Sequence, residues 1–352
     1  MESQVLLAVD GNSLVHRAFH AQAATGFRTV QGQPMWAVRG LVGQLLAAVD
    51  RIDPDLVVVG FDDPGYSQRR DQWPQYKATR IDKLDSLVDQ LATAVAIIAE
   101  LGIPVIMPEG LEADDVLASA AALTAAHGWR SVLMTSDRDA FALIDDDTSV
   151  LRIINGGVEA SPILTPHRLE TMLGIRPDQY RDYAALRGDP SDNLPGVVGI
   201  GPKTAARLLV ALGSGAAIFA DVATGGNVVA ATAGAGVLRH LAAPTARERW
   251  ELNCAVMSPR CDLDLGLPVA TGGRLRPLSA EVVRNVFTRL QLPATTPTAL
   301  RVLAHVECSE NAPQIAWRRE ETWQPWHDGG GFRQRFGPLP KPPPPVDQPA
   351  LF

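Results

Sequence analysis

A chain of 352 residues, 46% hydrophobic and 20% charged, is long enough for two globular domains, or one large α/β domain with an appendage, and needs no covalent staple. Its three cysteines (Cys254, Cys261, Cys308) match neither a disulfide framework nor a zinc spacing. The amino terminus lacks the basic region of a signal peptide and no apolar run reaches membrane-spanning length, so the expected setting is a reducing cytoplasm with no membrane partner. A net charge of −7, taken at face value, argues against a polyanionic partner.

Short apolar runs bounded by turn residues read as buried strands at Val5–Asp10, Leu56–Asp62, Val105–Met107 and Ser131–Asp137. Between them, apolar positions 38, 41, 42, 45, 49 and 52 mark a helix. A second helix carries Leu84, Leu87, Val88, Leu91, Val95 and Ile98 and stops at Gly102. A third runs from Glu112 to about Ala126 and ends before Gly128. Strand–helix alternation of this kind predicts an α/β fold, a parallel central sheet with flanking helices. The expected division is an α/β domain over 1–163, a helical region over 164–307, and a tail over 308–352. That tail sets Trp317, Trp323 and Trp326 among arginines, continues into a proline-rich run, and reads as linker or disorder.

The chemistry gathers in carboxylates. Asp10, Asp62 and Asp137 each end a predicted strand, and the carboxyl ends of parallel strands form the binding edge of such a sheet. Glu112, Asp114 and Asp115 open the helix at the same edge, Asp139 follows Asp137, and Asp189 and Asp192 lead into the helical region. Any one of these acids alone reads as a cap or turn residue. Nine together repel and cannot all stay ionised without cations among them. Oxygen-only donors select two or more Mg²⁺ or Mn²⁺ ions, and a metal pair can drive phosphodiester hydrolysis. Without these nine acids the rest of the chain is mildly basic, so the acidic balance no longer excludes a polyanion. Only four basic residues are lysine (Lys77, Lys83, Lys203, Lys341), which draws attention to each.

Five stretches, LLAVDGNSLVHRAFHA (6–21), FDDPGYSQRRDQWPQYKATR (61–80), GLEADDVLAS (110–119), TSDRDAFALI (135–144) and GDPSDNLPGVVGIGPKTAARLL (188–209), resemble in order and spacing those of the 5′ nucleases, or flap endonucleases, including the amino-terminal domain of bacterial DNA polymerase I. With no polymerase domain following, the chain is similar to a free-standing form. The resemblance implies a PIN-like 5′ nuclease fold, with a helical arch over about 64–83 and a helix–hairpin–helix over about 188–212. It implies that Asp10, Asp62, Glu112, Asp114 and Asp115 hold the first metal group, and Asp137, Asp139, Asp189 and Asp192 the second. Lys77 and Arg80 are then catalytic, steering the scissile phosphate. Arg17, Arg69 and Arg70 become phosphate contacts. Gly199, Gly201, Lys203 and Thr204 would grip duplex backbone, with K⁺ at the hairpin.

The implied activity is metal-dependent cleavage of DNA near 5′ ends at flaps, nicks or gaps, by a nucleoid-associated monomer in replication and repair. Two alternatives remain open at this point: a PIN-class ribonuclease and a non-catalytic junction-binding scaffold. The last five residues resemble sliding-clamp peptides, with Gln348 for the rim of a cleft and Leu351 and Phe352 for its apolar floor.

Overall fold

The computed structural model describes residues 3–80 and 83–306; the tail, with Gln348, Leu351 and Phe352, lies outside the described residues. In chain order the first part comprises β1 (Val5–Asp10), α1 (Gly11–Gln22), α2 (Trp36–Ile52), β2 (Leu56–Gly60), α3 (Gln68–Gln72), α4 (Asp85–Glu100), β3 (Val105–Ile106), α5 (Ala113–Ala126), β4 (Arg130–Thr135), β5 (Thr148–Arg152), α6 (Gly157–Ala160) and β6 (Ile163–Leu164). The second comprises α7 (Pro166–Leu173), α8 (Tyr180–Arg187), β7 (Gly188–Asp189), β8 (Leu194–Pro195), α9 (Pro202–Leu212), α10 (Gly215–Ala223), α11 (Asn227–Ala233), α12 (Ala235–Leu241), α13 (Pro244–Val256), α14 (Ala280–Arg289) and α15 (Thr296–Ala304).

The sheet runs β3-β2-β1-β4-β5-β6, parallel except for β6. β1 lies at its centre, paired with β2 on one side and β4 on the other. The chain therefore leaves β1 first toward β2 and β3, then crosses back to β4 and β5. That reversal makes the β1/β4 gap the topological switch point, where such sheets open a crevice at their carboxyl ends. Strand alternation divides the core. Leu7, Val9, Val57 and Val59 face one layer with α1, α2 and α4; Leu6, Ala8, Leu56 and Val58 face the other with α5, α8 and α9. Both layers are fully buried, as expected of strands that read as unbroken apolar runs.

Three features differ from the sequence reading. β5 and β6 extend the sheet beyond the four expected strands. The expected helical region does not pack as one: α14 and α15 join the layer of α2 and α4, while α8–α13 pack on the opposite side. The link into α14 is pinned to the α/β part, with Leu275 N donating to Asp55 O at 2.9 Å and Arg276 paired with Asp53 at 2.7 Å. Among its described residues the expected arch contains one short helix, α3, and then turns. Among the described residues no single helix is long and apolar enough to cross a membrane.

Candidate active site

Asp10 sits at the switch point. It caps α1, accepting from Ser13 N at 2.8 Å through Oδ1, while Oδ2 accepts from Thr135 Oγ1 at 2.6 Å across the gap to β4. The next residue must be small, because a Cβ on Gly11 would lie 2.4 Å from the Phe61 ring. Asp62 follows β2. Its Oδ2 accepts from Asn12 Nδ2 at 2.6 Å and its Oδ1 from Ala113 N, the first amide of α5, at 3.0 Å. Burial pushes the Asp10 carboxyl up to about 7 against its two hydrogen bonds, with Asp62 and Asp137 adding repulsion. Burial also raises Asp62, the backbone bond from Ala113 opposing it.

Glu112 and Asp115 form a reciprocal cap at the start of α5, with Glu112 N donating to Asp115 Oδ2 at 2.9 Å. Glu112 is crowded by cations and donors: Lys77 Nζ at 2.9 Å, Arg69 Nη1 at 2.9 Å and the Tyr76 hydroxyl at 3.0 Å. Burial would raise its pKa, but Lys77 and Arg69 carry it below the ordinary value. Lys77 in turn is raised: burial opposes the charge, and Glu112 and Asp192 outweigh it. Its backbone has φ +55°, a left-handed conformation that costs a side-chain-bearing residue about 1–2 kcal/mol.

Asp115 is fully buried and both its oxygens are taken. Oδ1 accepts from Arg69 Nη2 at 2.6 Å and Arg260 N at 2.7 Å, and Oδ2 accepts from Glu112 N and Arg69 Nη1. Two sequence expectations change here. Arg69 is a largely buried partner of Asp115 and Glu112 rather than an open phosphate contact. Asp115 holds Arg69 and the cap of α5 and has no free oxygen turned to the cleft.

Asp137, Asp189 and Asp192 lie near Asp139. Asp137 follows β4 and is exposed; its Oδ1 accepts from Asp139 N at 3.0 Å. Asp189 accepts from Ser191, and Asp192 pairs with Arg80 at 2.5 Å. Burial pushes Asp139 up to about 8, with Asp137, Asp189 and Asp192 repelling it. Asp114 is raised well above its ordinary value by burial, then by Asp137 and Asp10. Asp137 thus acts on both expected metal groups. Glu112, Asp114, Asp139 and Asp192 line one cleft together with Arg69 and Tyr76. Among the described residues no three His, Cys, Asp or Glu side chains form a finished metal cage. The donor set nonetheless fits hard divalent ions: carboxylates only, mutually repelling, with protons held where cations would relieve them.

The hairpin lies between α8 and α9. Val197 and Ile200 are buried while Val198, Gly199, Gly201 and Lys203 face out. Gly199 has φ +76°, and a Cβ there would lie 2.5 Å from the His240 ring. Gly201 caps α9 and Pro202 occupies its first turn, leaving the amides of Lys203 and Thr204 at an open helix start. Arg17 donates to Asn155 Oδ1 at 2.8 Å, and Arg70 is exposed on α3. Sequence reasoning passed over Asn12, Tyr76 and Thr135, which hold the acids by hydrogen bonds across 50, 36 and 125 residues. Only the proximity of Asn12 and Thr135 to the strand-end acids hinted at them.

Two family descriptions cover most of the chain: "5′-3′ exonuclease, N-terminal resolvase-like domain" matches residues 5–174, and "5′-3′ exonuclease, C-terminal SAM fold" matches residues 175–267. The chain belongs to the 5′-3′ exonuclease family. Among curated relatives, DNA polymerase I of Mycobacterium bovis is 39% identical over 209 residues, 59% of this chain and 23% of that protein. The thermostable DNA polymerase I of Thermus aquaticus is 41% identical over 209 residues, 59% of this chain and 24% of the relative. The chain thus spans about a quarter of the length of the curated relatives it matches. Its fold is that of T5 5′-exonuclease with bound divalent zinc (TM-score 0.58, 19% identity, 85% of this chain and 100% of that one). It is shared by flap endonuclease-1 from Methanococcus jannaschii (TM-score 0.51, 13% identity, 86% and 93% of the two chains).

Proposed function

We propose that this member of the 5′-3′ exonuclease family hydrolyses DNA phosphodiesters near 5′ ends, as an exonuclease and a flap endonuclease at the junction of single strand and duplex. The observation that carries the reading is the gathering of Glu112, Asp114, Asp139 and Asp192 along one cleft, with Asp137 and Asp10 near enough to repel Asp114 and Lys77 paired with Glu112. Asp10, Asp62, Glu112 and Asp114 would hold one divalent ion, and Asp137, Asp139, Asp189 and Asp192 another, with Mg²⁺ or Mn²⁺ suited to such oxygens. When bound, such ions supply an ionised water at neutral pH and screen the leaving oxygen.

The chain's own residues do the rest. Asn12 and Thr135 fix the rotamers of Asp62 and Asp10, so the acids meet the reacting phosphate already oriented. Lys77 and Arg80 exchange their carboxylate partners for the scissile phosphate and neutralise the charge that grows on it. Asp115, held by Arg69, keeps the first turn of α5 and hence Glu112 and Asp114 in place. Gly199, Gly201, Lys203 and Thr204 contact duplex backbone without reading bases, with K⁺ held at the hairpin; Arg17 and Arg70 add phosphate contacts. The proposed setting is replication and repair at the nucleoid, by a monomer. Gln348, Leu351 and Phe352, beyond the described residues, would tether it to the sliding clamp.

The test is cleavage of an end-labelled double-flap DNA with the product ends mapped, alongside the same flap in RNA. Cuts at the junction of the DNA flap, dependent on Mg²⁺ or Mn²⁺, are expected. Preference for the RNA flap would favour a ribonuclease, and binding without any cleavage a scaffold. For the tether, a calorimetric titration against the clamp should give binding by the full chain and none by a chain ending at Asp347. Equal binding by both would remove that part.

A further inference from the structure

Lys77 is carried by a run of turns, residues 74–79, that follows α3. The loop between β7 and β8 ties down its backbone, while the side chains of Tyr76 and Lys77 reach Glu112. Lys77 N donates to Asp192 O at 2.9 Å, and Asn193 Nδ2 donates to Gln75 O at 2.8 Å. The two bonds point in opposite directions and clamp residues 75–77 onto residues 192 and 193. Both ends of the clamp are left-handed, Lys77 at φ +55° and Asn193 at φ +58°. Asparagine enters that region more readily than most side-chain-bearing residues, whereas a lysine needs its surroundings to keep it there. Asn193 also closes the tight turn Pro190–Asp192, its N donating to Pro190 O at 3.3 Å. Its side chain therefore leaves the acid-bearing turn and reaches the segment of the lysine.

We infer that Asn193 is a positioning residue for Lys77: its amide holds the Gln75 carbonyl and so fixes the left-handed turn that aims the lysine into the cleft. The Asn193 side chain reaches the lysine's segment through the Gln75 carbonyl, while its backbone closes the turn that carries Asp192. The same contact ties the base of the arch to the loop that leads into the hairpin, so duplex held at Gly199–Thr204 and the lysine at the phosphate share one rigid link. The inference rests on the proposed role of Lys77 at the scissile phosphate.

A double-mutant cycle tests it, because only a residue acting through Lys77 loses its effect when Lys77 is gone. The four proteins are wild type, Asn193→Asp, Lys77→Ala and the double variant. The readout is single-turnover cleavage of a double-flap DNA in Mg²⁺, with KM from steady state. Aspartate tolerates the left-handed backbone but sets an acceptor against the Gln75 carbonyl. Asn193→Gly repeats the cycle with no new charge and serves if the aspartate variant does not fold. Each Asn193 variant should lower turnover by about threefold to tenfold, the worth of one hydrogen bond, and leave KM little changed. In the Lys77→Ala background neither should have any effect. A crippled Lys77→Ala enzyme in which the Asn193 effect persists in full overturns the inference alone. A Lys77→Ala enzyme that cleaves at the wild-type rate removes the reading beneath it, and the inference with it.

Discussion

Arg69 grips Asp115 at two points, Nη2 on Oδ1 at 2.6 Å and Nη1 on Oδ2 at 3.0 Å, with the carboxylate fully buried. The neighbouring Asp114 has no such partner and is raised by burial and by Asp137 and Asp10. Two adjacent aspartates of one motif are thus opposites: one is neutralised by the fold, the other is left repelled by its neighbours.

The two should respond oppositely to amide substitution. Asp115→Asn leaves Arg69 with half its buried partners and should destabilise the chain by about 3–5 kcal/mol, read by urea denaturation. Asp114→Asn removes a repelled buried charge and should leave stability equal or higher in chelator, while cleavage is lost. Equal losses of stability in both would show that the two acids share one role.

In the absence of divalent ions, stability should fall as pH rises from about 5 to 8. Asp10, pushed up to about 7, and Asp139, pushed up to about 8, both lie above their ordinary values, so the folded chain binds more protons than the unfolded one across that window. Only below about 4, the ordinary aspartate range, are both states protonated, and there the difference vanishes. Divalent ions displace those protons, so Mg²⁺ should raise Tm more at the alkaline end and release protons on binding. Thermal denaturation in chelator and in Mg²⁺ across this range checks it; a Tm in chelator that rises with pH contradicts it.

Lys77 and Lys203 should fail in different ways. Lys77→Ala should lower turnover on bound DNA by about 100-fold, the scale of losing one transition-state donor. Lys203 is exposed at the start of α9. Lys203→Ala should leave turnover intact and reduce the slope of log K against log salt by about 0.9, one phosphate contact. Fluorescence anisotropy over a salt series and single-turnover kinetics separate the two; a shared defect would merge the roles.

The strand ends that carry Asp10, Asp62 and Asp137 were legible because a buried parallel strand is an uninterrupted apolar run, and an acid closing it is conspicuous. β5 was not: Thr148–Arg152 is short, three of its five residues are polar and it follows three aspartates, so it reads as loop until β4 pairs with it. β6 is two residues long. The return of α14 and α15 to the first core layer depends on bonds such as Leu275 N to Asp55 O, which no local pattern encodes. Arg69 shows the same limit within the site. Its charge was visible in the sequence, but its partner lies 46 residues away, and pairing decides whether an arginine faces a phosphate or the core.

Under the proposed function, the acids at the sheet's switch point cut DNA by holding divalent ions. The most direct measurement is the single-turnover rate on pre-bound double-flap DNA as Mn²⁺ is titrated from chelator upward, for wild type and Asp114→Asn. The wild type should show no cleavage in chelator and a rate that rises with more than first-order dependence on metal, and Asp114→Asn should bind the DNA without cutting it. Cleavage by wild type in chelator, or by Asp114→Asn at the wild-type rate, would contradict it.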